Sequence, residues 1–351
     1  MKIEWTRGKG LPSLLKGGAM GMVDGVPVYA AGMTFPWRET EQAWSWDEAR
    51  DDWFPVESSL PVGRAYANGA TLGDGLLILG GRKRTDGLPL SLPEAWWLRR
   101  RGGEFHWMRL PDMGYRRAVP VIGISGSRIL ALGGGEWERS QGGAFTTRHL
   151  TNYEVLDVDH LGAGWKDMGP VPFEPLEGSS YASIGASAYV FGGVECWTED
   201  DTRHIRFYCT AWRYDFPTDE WTRLADLPVT GSGWCAIAFG DEVVIIGGNF
   251  TMGHPGEGAL YRTDRSDEYR TELALDVGTW RERTIGAYSD LAFVYDTRSD
   301  NYTVLEERLP AGLNDLRCAI SGKTIFAAGG ETIDPALSNT TDVFMIGRII
   351  D

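Results

Sequence analysis

Short runs of aliphatic and small residues recur along the chain, and most of them end in a pair of glycines. The first glycine of each pair lies at positions 80, 133, 192, 247 and 329, in the runs LLILGG, LALGG, YVFGG, VIIGG and FAAGG. A degenerate copy with one glycine, VYAAG, ends at Gly32. Apolar runs of this length, bounded by turn residues, are typical of β-strands. Their return at about 50 residues, with one longer gap, indicates an internal repeat.

A second half follows each glycine pair. Two aromatic positions flank a polar turn in WSWDEARDDW, YDFPTDEW and YDTRSDNY, and a Leu-Pro step or a near equivalent comes next. Each unit therefore predicts four short strands. The last unit, from FAAGG onward, ends after its third strand, whereas KIEW and Leu11-Pro12 near the N-terminus supply the missing parts. The N-terminal strand is thus expected to complete the last unit.

This pattern predicts an all-β, six-bladed β-propeller with four-stranded blades, the last blade closed by the N-terminal strand. The recurring glycine pair, aromatic residue and Trp resemble the kelch repeat family over nearly the whole chain. We expect one propeller domain over residues 1–351, with a long insertion at 249–291 in the fifth blade.

The two faces of such a propeller differ in the length of their loops. Turns between the first two strands are minimal, as in GDG at 73–75, whereas long segments such as RKRTDGLPLSLPEA follow the glycine pairs. Because binding and catalytic residues concentrate on long loops carried by a rigid scaffold, the face after the glycine pairs is predicted to be functional.

Composition narrows the possible functions. The net charge of −15 disfavours a general nucleic-acid binder, because binding phosphates needs a basic surface. No run is apolar for long enough to span a membrane, and no signal sequence precedes the repeats, so a cytoplasmic protein is expected, or a periplasmic one if a signal has been removed. The four cysteines have no metal-ligand spacing; Cys196 and Cys209 pair only in an oxidising compartment, and free thiols are expected.

Two arginines stand at the start of predicted inner strands on the elaborated face. Arg64 and Arg117 each lie 16 residues before a glycine pair, so they occupy equivalent places in neighbouring blades. Two guanidinium groups at one channel mouth would form a fork-shaped anion site. The other interpretation is that each arginine pairs with a glutamate and ties a blade together.

Further candidates follow the glycine pairs or add tryptophans beyond the repeat pattern. Carboxylates beside arginines suit acid–base chemistry, and tryptophans suit stacking on sugar rings or anchoring of loops. We assign catalysis to Glu331 and Arg64, and the candidates for substrate binding are Arg117, Arg317, Glu136, Glu195, Asn249, Trp137, Trp197 and Trp234. Arg82 and Lys83 are expected at the same rim.

The segment GRAYANGATLGDGLLILGG resembles the N-acetylneuraminate epimerases, also called sialate mutarotases, which are six-bladed kelch proteins. The order of the blades matches that family after a cyclic permutation. The resemblance implies that Glu331 is the proton acceptor, that arginines hold the substrate carboxylate, and that no metal or redox cofactor takes part. The family has an arginine a few residues after this glutamate, whereas ETIDPALSN has none, and Arg317 is a candidate to replace it.

Two other functional classes remain open. A polysaccharide lyase or a glycoside hydrolase acting on acidic glycans is the first, with His149, His204 and His254, or pairs among the loop glutamates, as candidate groups. A kelch module that binds another protein is the second. A copper oxidase is disfavoured because no credible set of His and Tyr ligands is present. The preferred partner is a small sugar acid or an acidic glycan, with neither nucleic acid nor membrane.

Overall fold

The computed structural model describes residues 1–34, 38–85, 88–139, 145–174, 176–199, 202–251, 259–262, 288–332 and 340–350. Antiparallel strands dominate these ranges, and a six-residue 3-10 turn spans Val158–Ala163. Within them, no helix has the length and hydrophobicity needed to cross a membrane.

The strands have the following bounds. In the first half they are β1 (Lys2–Arg7), β2 (Ala19–Val23), β3 (Val26–Ala30), β4 (Met33–Thr34), β5 (Arg38–Glu39), β6 (Ala43–Asp47), β7 (Asp52–Pro55), β8 (Asn68–Leu72), β9 (Gly75–Leu79), β10 (Arg82–Thr85), β11 (Leu88–Ser91), β12 (Ala95–Arg101), β13 (Glu104–Arg109), β14 (Val121–Ser125), β15 (Arg128–Leu132), β16 (Gly135–Arg139), β17 (Phe145–His149), β18 (Asn152–Asp157) and β19 (Lys166–Pro170). In the second half they are β20 (Ser180–Ile184), β21 (Ser187–Glu199), β22 (Thr202–Asp215), β23 (Glu220–Leu224), β24 (Thr230–Phe239), β25 (Glu242–Thr251), β26 (Ala259–Arg262), β27 (Ala292–Asp296), β28 (Asn301–Val304), β29 (Arg317–Ser321), β30 (Thr324–Ala328) and β31 (Phe344–Ile350).

Six four-stranded blades are built from these strands. From the channel outward they are β2-β3-β6-β7, β8-β9-β12-β13, β14-β15-β18-β19, β20-β21-β22-β23, β24-β25-β27-β28 and β29-β30-β31-β1. The first strands form a closed ring, since each contacts the first strand of the next blade and β29 contacts β2. The predicted six-bladed propeller is confirmed.

The last blade joins strands from opposite parts of the chain. β1 pairs with β31 in an antiparallel register that runs from Lys2 opposite Ile350 to Arg7 opposite Met345. The prediction that the N-terminal strand completes the sixth blade is therefore correct. Because β1 covers the outer edge of β31, the ring closes through backbone hydrogen bonds.

Aromatic pairs on the outer strands hold neighbouring blades together. Trp46 lies directly opposite Trp53 across β6 and β7, as the flanked-turn pattern predicted. Phe344 of the sixth blade packs against both rings, with centroid distances of 4.5 Å to Trp46 and 4.9 Å to Trp53. Tilted and edge-on contacts of this kind add to the burial energy of the rings. The repeated aromatic residues thus pack the interface between blades.

The glycine pairs allow the backbone of one strand to approach the next blade closely. Gly248 has a φ of +88°, and a Cβ built on it would lie 1.7 Å from the ring of Trp234. A larger residue here would meet both backbone strain and a steric clash. The pairs mark places where only hydrogen fits.

One end of the channel carries the additional hairpins. The hairpins β10–β11 and β16–β17 and the distal parts of β21 and β22 each follow a glycine pair, and the hairpin β4–β5 follows the single Gly32. The segment that leads into a blade also bridges to the residue after the glycine pair; these bridges are Lys16 to Met33, Ala65 to Arg82, Ala118 to Gly135, Glu177 to Val194 and Asn314 to Glu331. We call the end of the channel ringed by these bridges the mouth. Most of the 249–291 insertion lies outside the described residues.

A ring of left-handed residues lines the channel at the mouth. The fourteenth residue before the first position of each glycine pair, or of the Ala31-Gly32 copy, has a positive φ. Backbone hydrogen bonds join several neighbours in this ring, for example Val119 N to Tyr66 O at 2.7 Å. The six residues are Gly17, Tyr66, Val119, Gly178, Gly233 and Asp315. Left-handed backbone costs a residue other than glycine about 1–2 kcal/mol. Tyr66 and Asp315 adopt it at the place where their side chains meet Glu331 and Arg317.

Candidate functional site

Glu331 lies at the mouth, directly after the glycine pair of the sixth blade. Its backbone is fixed by two hydrogen bonds to Asn314, from Glu331 N to Asn314 O at 2.7 Å and from Asn314 N to Glu331 O at 3.1 Å. The side chain is 15% exposed. The predicted catalytic carboxylate is therefore held on rigid backbone with access to the solvent of the channel.

Four donors from four blades converge on this carboxylate. Oε1 accepts hydrogen bonds from Lys16 Nζ at 2.9 Å and from the Tyr66 hydroxyl at 3.4 Å. Oε2 accepts from Asn314 Nδ2 at 2.9 Å and from the Tyr288 hydroxyl at 3.2 Å. Lys16 is itself nearly buried, with 7% of its side chain exposed. The position of the carboxylate is thus determined by surrounding donors, as an acid–base group requires.

Tyr66 connects Glu331 to a stacked arginine. Burial, with the negative charge of Glu331 adding to it, raises the pKa of Tyr66 well above its ordinary value. The Arg82 guanidinium lies over the Tyr66 ring at 4.1 Å and over the Trp137 ring at 4.4 Å, measured from Cζ to each centroid. Within the described ranges, this guanidinium makes neither an ion pair nor a hydrogen bond. Stacking therefore orients a cation whose N–H groups are available to an anion.

A buried ion pair lies deeper in the channel. Arg317 Nη2 is 2.7 Å from Asp315 Oδ1, and Arg317 Nε donates to Gly18 O at 2.6 Å. Burial, together with the charge of Glu331, raises the pKa of Asp315 despite the opposing effect of Arg317. Arg317 and Asp315 line a cavity of about 60 Å³, together with Asn68 and Ser179. It is large enough for a few water molecules.

Arg64 lies between blades one and two and has no exposed surface. Its backbone N–H donates to Thr40 of the first blade, and its guanidinium donates to the Glu94 carboxylate and to Gly80 O at 3.2 Å in the second. These contacts favour a tie between blades. The catalytic role of Arg64 stays a prediction that this geometry does not favour.

Arg117 repeats this arrangement one blade further on. It is also fully buried, lies 3.0 Å from Glu154 Oε2, and donates to Gly133 O at 2.7 Å and to Asn152 O at 3.2 Å. In both blades the arginine reaches the carbonyl of the glycine 16 residues ahead. Because each guanidinium is occupied by its own blade, the two do not form a shared fork for an anion.

The other two glutamates assigned to the mouth are paired with neighbours. Glu136 accepts a hydrogen bond from Arg148 Nε at 3.1 Å, and Glu195 accepts one from the Tyr208 hydroxyl at 2.8 Å. Burial raises the pKa of Tyr208 to about 12, with Glu195 contributing to the increase. Both carboxylates stand on the hairpins around the mouth, and neither contacts Glu331 in the described residues.

The remaining predicted residues differ in their relation to the site. Trp137 is brought into it, because its ring covers Arg82. Asn249 bridges through its backbone to Tyr288, next to Glu331. Trp234 is only 3% exposed and packs against Gly248, so the structure gives it a packing role beside the cavity. The side chain of Trp197 lies outside the described residues.

The histidines assigned to the lyase alternative are only partly visible. His149 is 7% exposed and its Nδ1 lies 3.6 Å from Glu177 Oε2, near the mouth. The side chain of His204 and the whole of His254 lie outside the described residues. In the described part of the chain, no three or more His, Cys, Asp or Glu side chains are arranged to hold a metal ion.

Sequence reasoning did not identify most of the groups that surround Glu331. Lys16, Tyr66, Tyr288 and Asn314 are ordinary residues in sequence and become neighbours only in the closed ring. A positional signal was available for two of them, since Lys16 and Asn314 both immediately precede the left-handed position of their blades. Comparing equivalent positions across the six repeats would have singled them out.

Comparisons with known proteins agree with the fold and with the resemblance. The chain is 26% identical over 265 residues to the kelch-like protein terF of Aspergillus terreus, covering 71% of this chain and 53% of that protein. It is 35% identical over 149 residues to N-acetylneuraminate epimerase of Yersinia pestis, covering 42% of this chain and 38% of that protein. The Yersinia enterocolitica epimerase is 30% identical over 141 residues, covering 39% of this chain and 33% of that protein.

A solved structure described as YjhT superposes with a TM-score of 0.68 at 14% identity and covers 97% of both chains, which supports the fold alone. No family profile matches the chain. The chain spans between a third and about half of the length of these curated relatives. The permuted order of the blades stays a prediction. The chain is a six-bladed β-propeller with sequence similarity to a kelch-like protein and, over part of its length, to the N-acetylneuraminate epimerases.

Proposed function

We propose that this protein interconverts the anomers of a sugar acid, and that N-acetylneuraminate is the first substrate to test. The observation that carries the proposal is the pairing of Glu331, fixed by four donors, with Arg82, which is stacked and has no carboxylate partner among the described residues. Tyr66 separates the two groups and touches both. The names of the Yersinia relatives support this choice of substrate.

The reaction needs proton transfer only. Glu331 takes the proton of the anomeric hydroxyl, the bond from the anomeric carbon to the ring oxygen breaks, and the ring oxygen gains a proton. The open-chain ketone then recloses on its other face by the reverse steps. Lys16, Tyr66 and Tyr288 are the proton-bearing groups closest to Glu331 in this proposal. General acid–base catalysis of this kind contributes about 10²–10⁴-fold.

Arg82 holds the substrate carboxylate in this proposal. Its planar guanidinium can form two parallel hydrogen bonds to a carboxylate, and the rings of Tyr66 and Trp137 fix its plane. In this proposal Arg82, and not Arg64 or Arg117, anchors the carboxylate, because the guanidinium groups of Arg64 and Arg117 are paired with Glu94 and Glu154. It is also better placed than Arg317, which already has Asp315 as its partner.

The test is an NMR exchange measurement on N-acetylneuraminate near neutral pH. Wild-type protein should accelerate interconversion of the anomers, and Glu331→Gln should lower kcat by about 10²–10⁴-fold. Arg82→Met should mainly raise KM, whereas Lys83→Met is the matched control, because alternate residues of a strand face opposite sides. Equal effects of the two charge deletions would contradict a specific anchor at Arg82, and unchanged exchange with wild-type protein would overturn the mutarotase proposal.

One observation favours a second candidate. His149 lies beside Glu177 near the mouth, in the position that the base of a lyase acting on an acidic glycan would occupy. A lyase would release a sugar with a new carbon–carbon double bond, which absorbs in the ultraviolet. Formation of such a product by wild-type protein, and its loss in His149→Gln, would show lyase activity and overturn the mutarotase proposal. A protein active in neither assay would support the non-catalytic kelch module.

A further inference from the structure

Two thiols meet in the wall of the channel. Cys235 is on β24 and Cys318 on β29, the inner strands of blades five and six, which contact each other. Both side chains line the cavity of about 60 Å³ that also contains Arg317. Both side chains also pack against the same core cluster, which contains Val244 and Ile325. The geometry therefore brings together two cysteines that are 83 positions apart in the sequence.

Their surroundings differ from those of the third described cysteine. Cys209 is 1% exposed and belongs to the core cluster around Phe191 and Leu227. Cys235 and Cys318 are partly exposed, and both residues line the cavity. A small reagent in the channel can therefore reach the pair but not Cys209. Access to solvent and a nearby second thiol, which can react with a sulfenic acid, are two features of redox-sensitive cysteines.

We propose that Cys235 and Cys318 form a dithiol modification site, which a small hydroperoxide converts into a disulfide between blades five and six. In the first step one thiolate attacks the peroxide, forming a sulfenic acid and releasing the reduced oxygen as water or an alcohol. In the second step the other thiol displaces water from the sulfenic acid and forms the sulfur–sulfur bond. The peroxide is reduced by two electrons and the two sulfurs are oxidised by two.

The rate of this reaction should depend on pH. Burial and the neighbouring Cys235 thiol raise the pKa of Cys318 well above its ordinary value, and Arg317 opposes them. Tyr181 and Asp315 are the other titratable groups that line this cavity. Because the thiolate is the reacting form, the oxidation rate should rise about tenfold for each unit by which pH increases, as long as pH stays below that pKa.

A disulfide between Cys235 and Cys318 would affect the part of the channel wall that contains Arg317. Cys318 follows Arg317 directly, so a disulfide would fix the strand that carries the buried Arg317–Asp315 ion pair. Oxidation would thereby restrict the Arg317–Asp315 pair, which lies near Glu331, without modifying Glu331 itself. The proposal stands on the thiol pair alone and does not depend on which reaction the mouth performs.

Tryptic mapping tests the proposal with an internal control. Cleavage after Lys and Arg places Cys235 in peptide 224–262, Cys318 in peptide 318–323 and Cys209 in peptide 207–213. Folded protein is treated with graded hydrogen peroxide, alkylated and digested. The expected result is a 224–262 peptide linked to 318–323, two hydrogens lighter than their sum and separated by a reductant, while the Cys209 peptide stays unmodified.

Two outcomes would overturn the proposal. One is separate oxidation of Cys235 and Cys318 to sulfinic acids with no linked peptide, and the other is modification of Cys209 at the same dose. Cys318→Ser supplies the chemical control, since it should abolish the linked peptide and leave Cys235 to oxidise alone. The wild-type result decides the question even if this variant folds poorly.

Discussion

Arg117 offers the most direct distinction between a tie within the propeller and a group that binds substrate. Replacing it by Met keeps much of its apolar stem but removes the guanidinium. Glu154, with 2% of its side chain exposed, then keeps the Gly114 N–H at 2.7 Å as its remaining described donor. Two carbonyl groups, Gly133 O and Asn152 O, also lose a donor.

The expected cost follows from this burial. Breaking a buried ion pair by removing one partner costs about 3–5 kcal/mol, because the other charge is left uncompensated. We therefore expect Arg117→Met to lower the free energy of unfolding by about that amount. The double variant Arg117→Met, Glu154→Leu should recover a large part of the loss, because it removes the stranded charge.

Arg64→Met is the matched comparison in the neighbouring blade. Its partner Glu94 is 18% exposed, so water can partly solvate the carboxylate after the change. The loss should be smaller, about 1–3 kcal/mol. Urea unfolding followed by tryptophan fluorescence measures all of these variants. An Arg117→Met protein that is as stable as wild type, but has a raised KM for the sugar acid, would refute this reasoning and return Arg117 to substrate binding.

The remaining predictions test packing and titration. Gly248→Ala should be strongly destabilising, because its Cβ would lie 1.7 Å from the Trp234 ring. Gly102→Ala, at a φ of +60° with nothing within 4 Å, should cost only about 1–2 kcal/mol in urea unfolding. Similar losses in the two variants would contradict the steric explanation. Stability should fall as pH rises from 10 to 12, since burial raises the folded pKa of Tyr208 to about 12 and the folded state favours the protonated phenol. Tyr208→Phe should flatten that decline, as monitored by unfolding free energy against pH, and an unchanged slope would exclude this tyrosine as a cause.

The fold was readable from the sequence because its signals are local and repeated. The glycine pairs, the aromatic residues flanking a polar turn and the Leu-Pro steps recur in each blade, and each is required by backbone geometry or packing within that blade. The seam was also predictable. The third strand of the last unit and the strand around Trp5 each lacked what the other supplied.

The site was less predictable, because its residues come from different blades. Position after a glycine pair singled out Glu331, but its partner Lys16 is 315 positions away. Charge alone could not distinguish Arg64 from Arg82, because the sequence pattern predicts both arginines at the mouth of the channel. The difference lies in whether a carboxylate reaches the guanidinium in the folded ring. Glu94 reaches Arg64, whereas aromatic rings flank Arg82.

The pairing of β1 with β31 also means that the sixth blade cannot be completed until late in synthesis. The partner strand of residues 2–7, at 344–350, is synthesised more than three hundred residues after them. At about 5–20 residues per second, the first strand waits roughly 17–70 s with no partner for its backbone. Until then the sixth blade has an open edge that invites pairing with other chains. The synthesis of residues 344–350 therefore decides both when the ring closes and how long the nascent protein is exposed to aggregation.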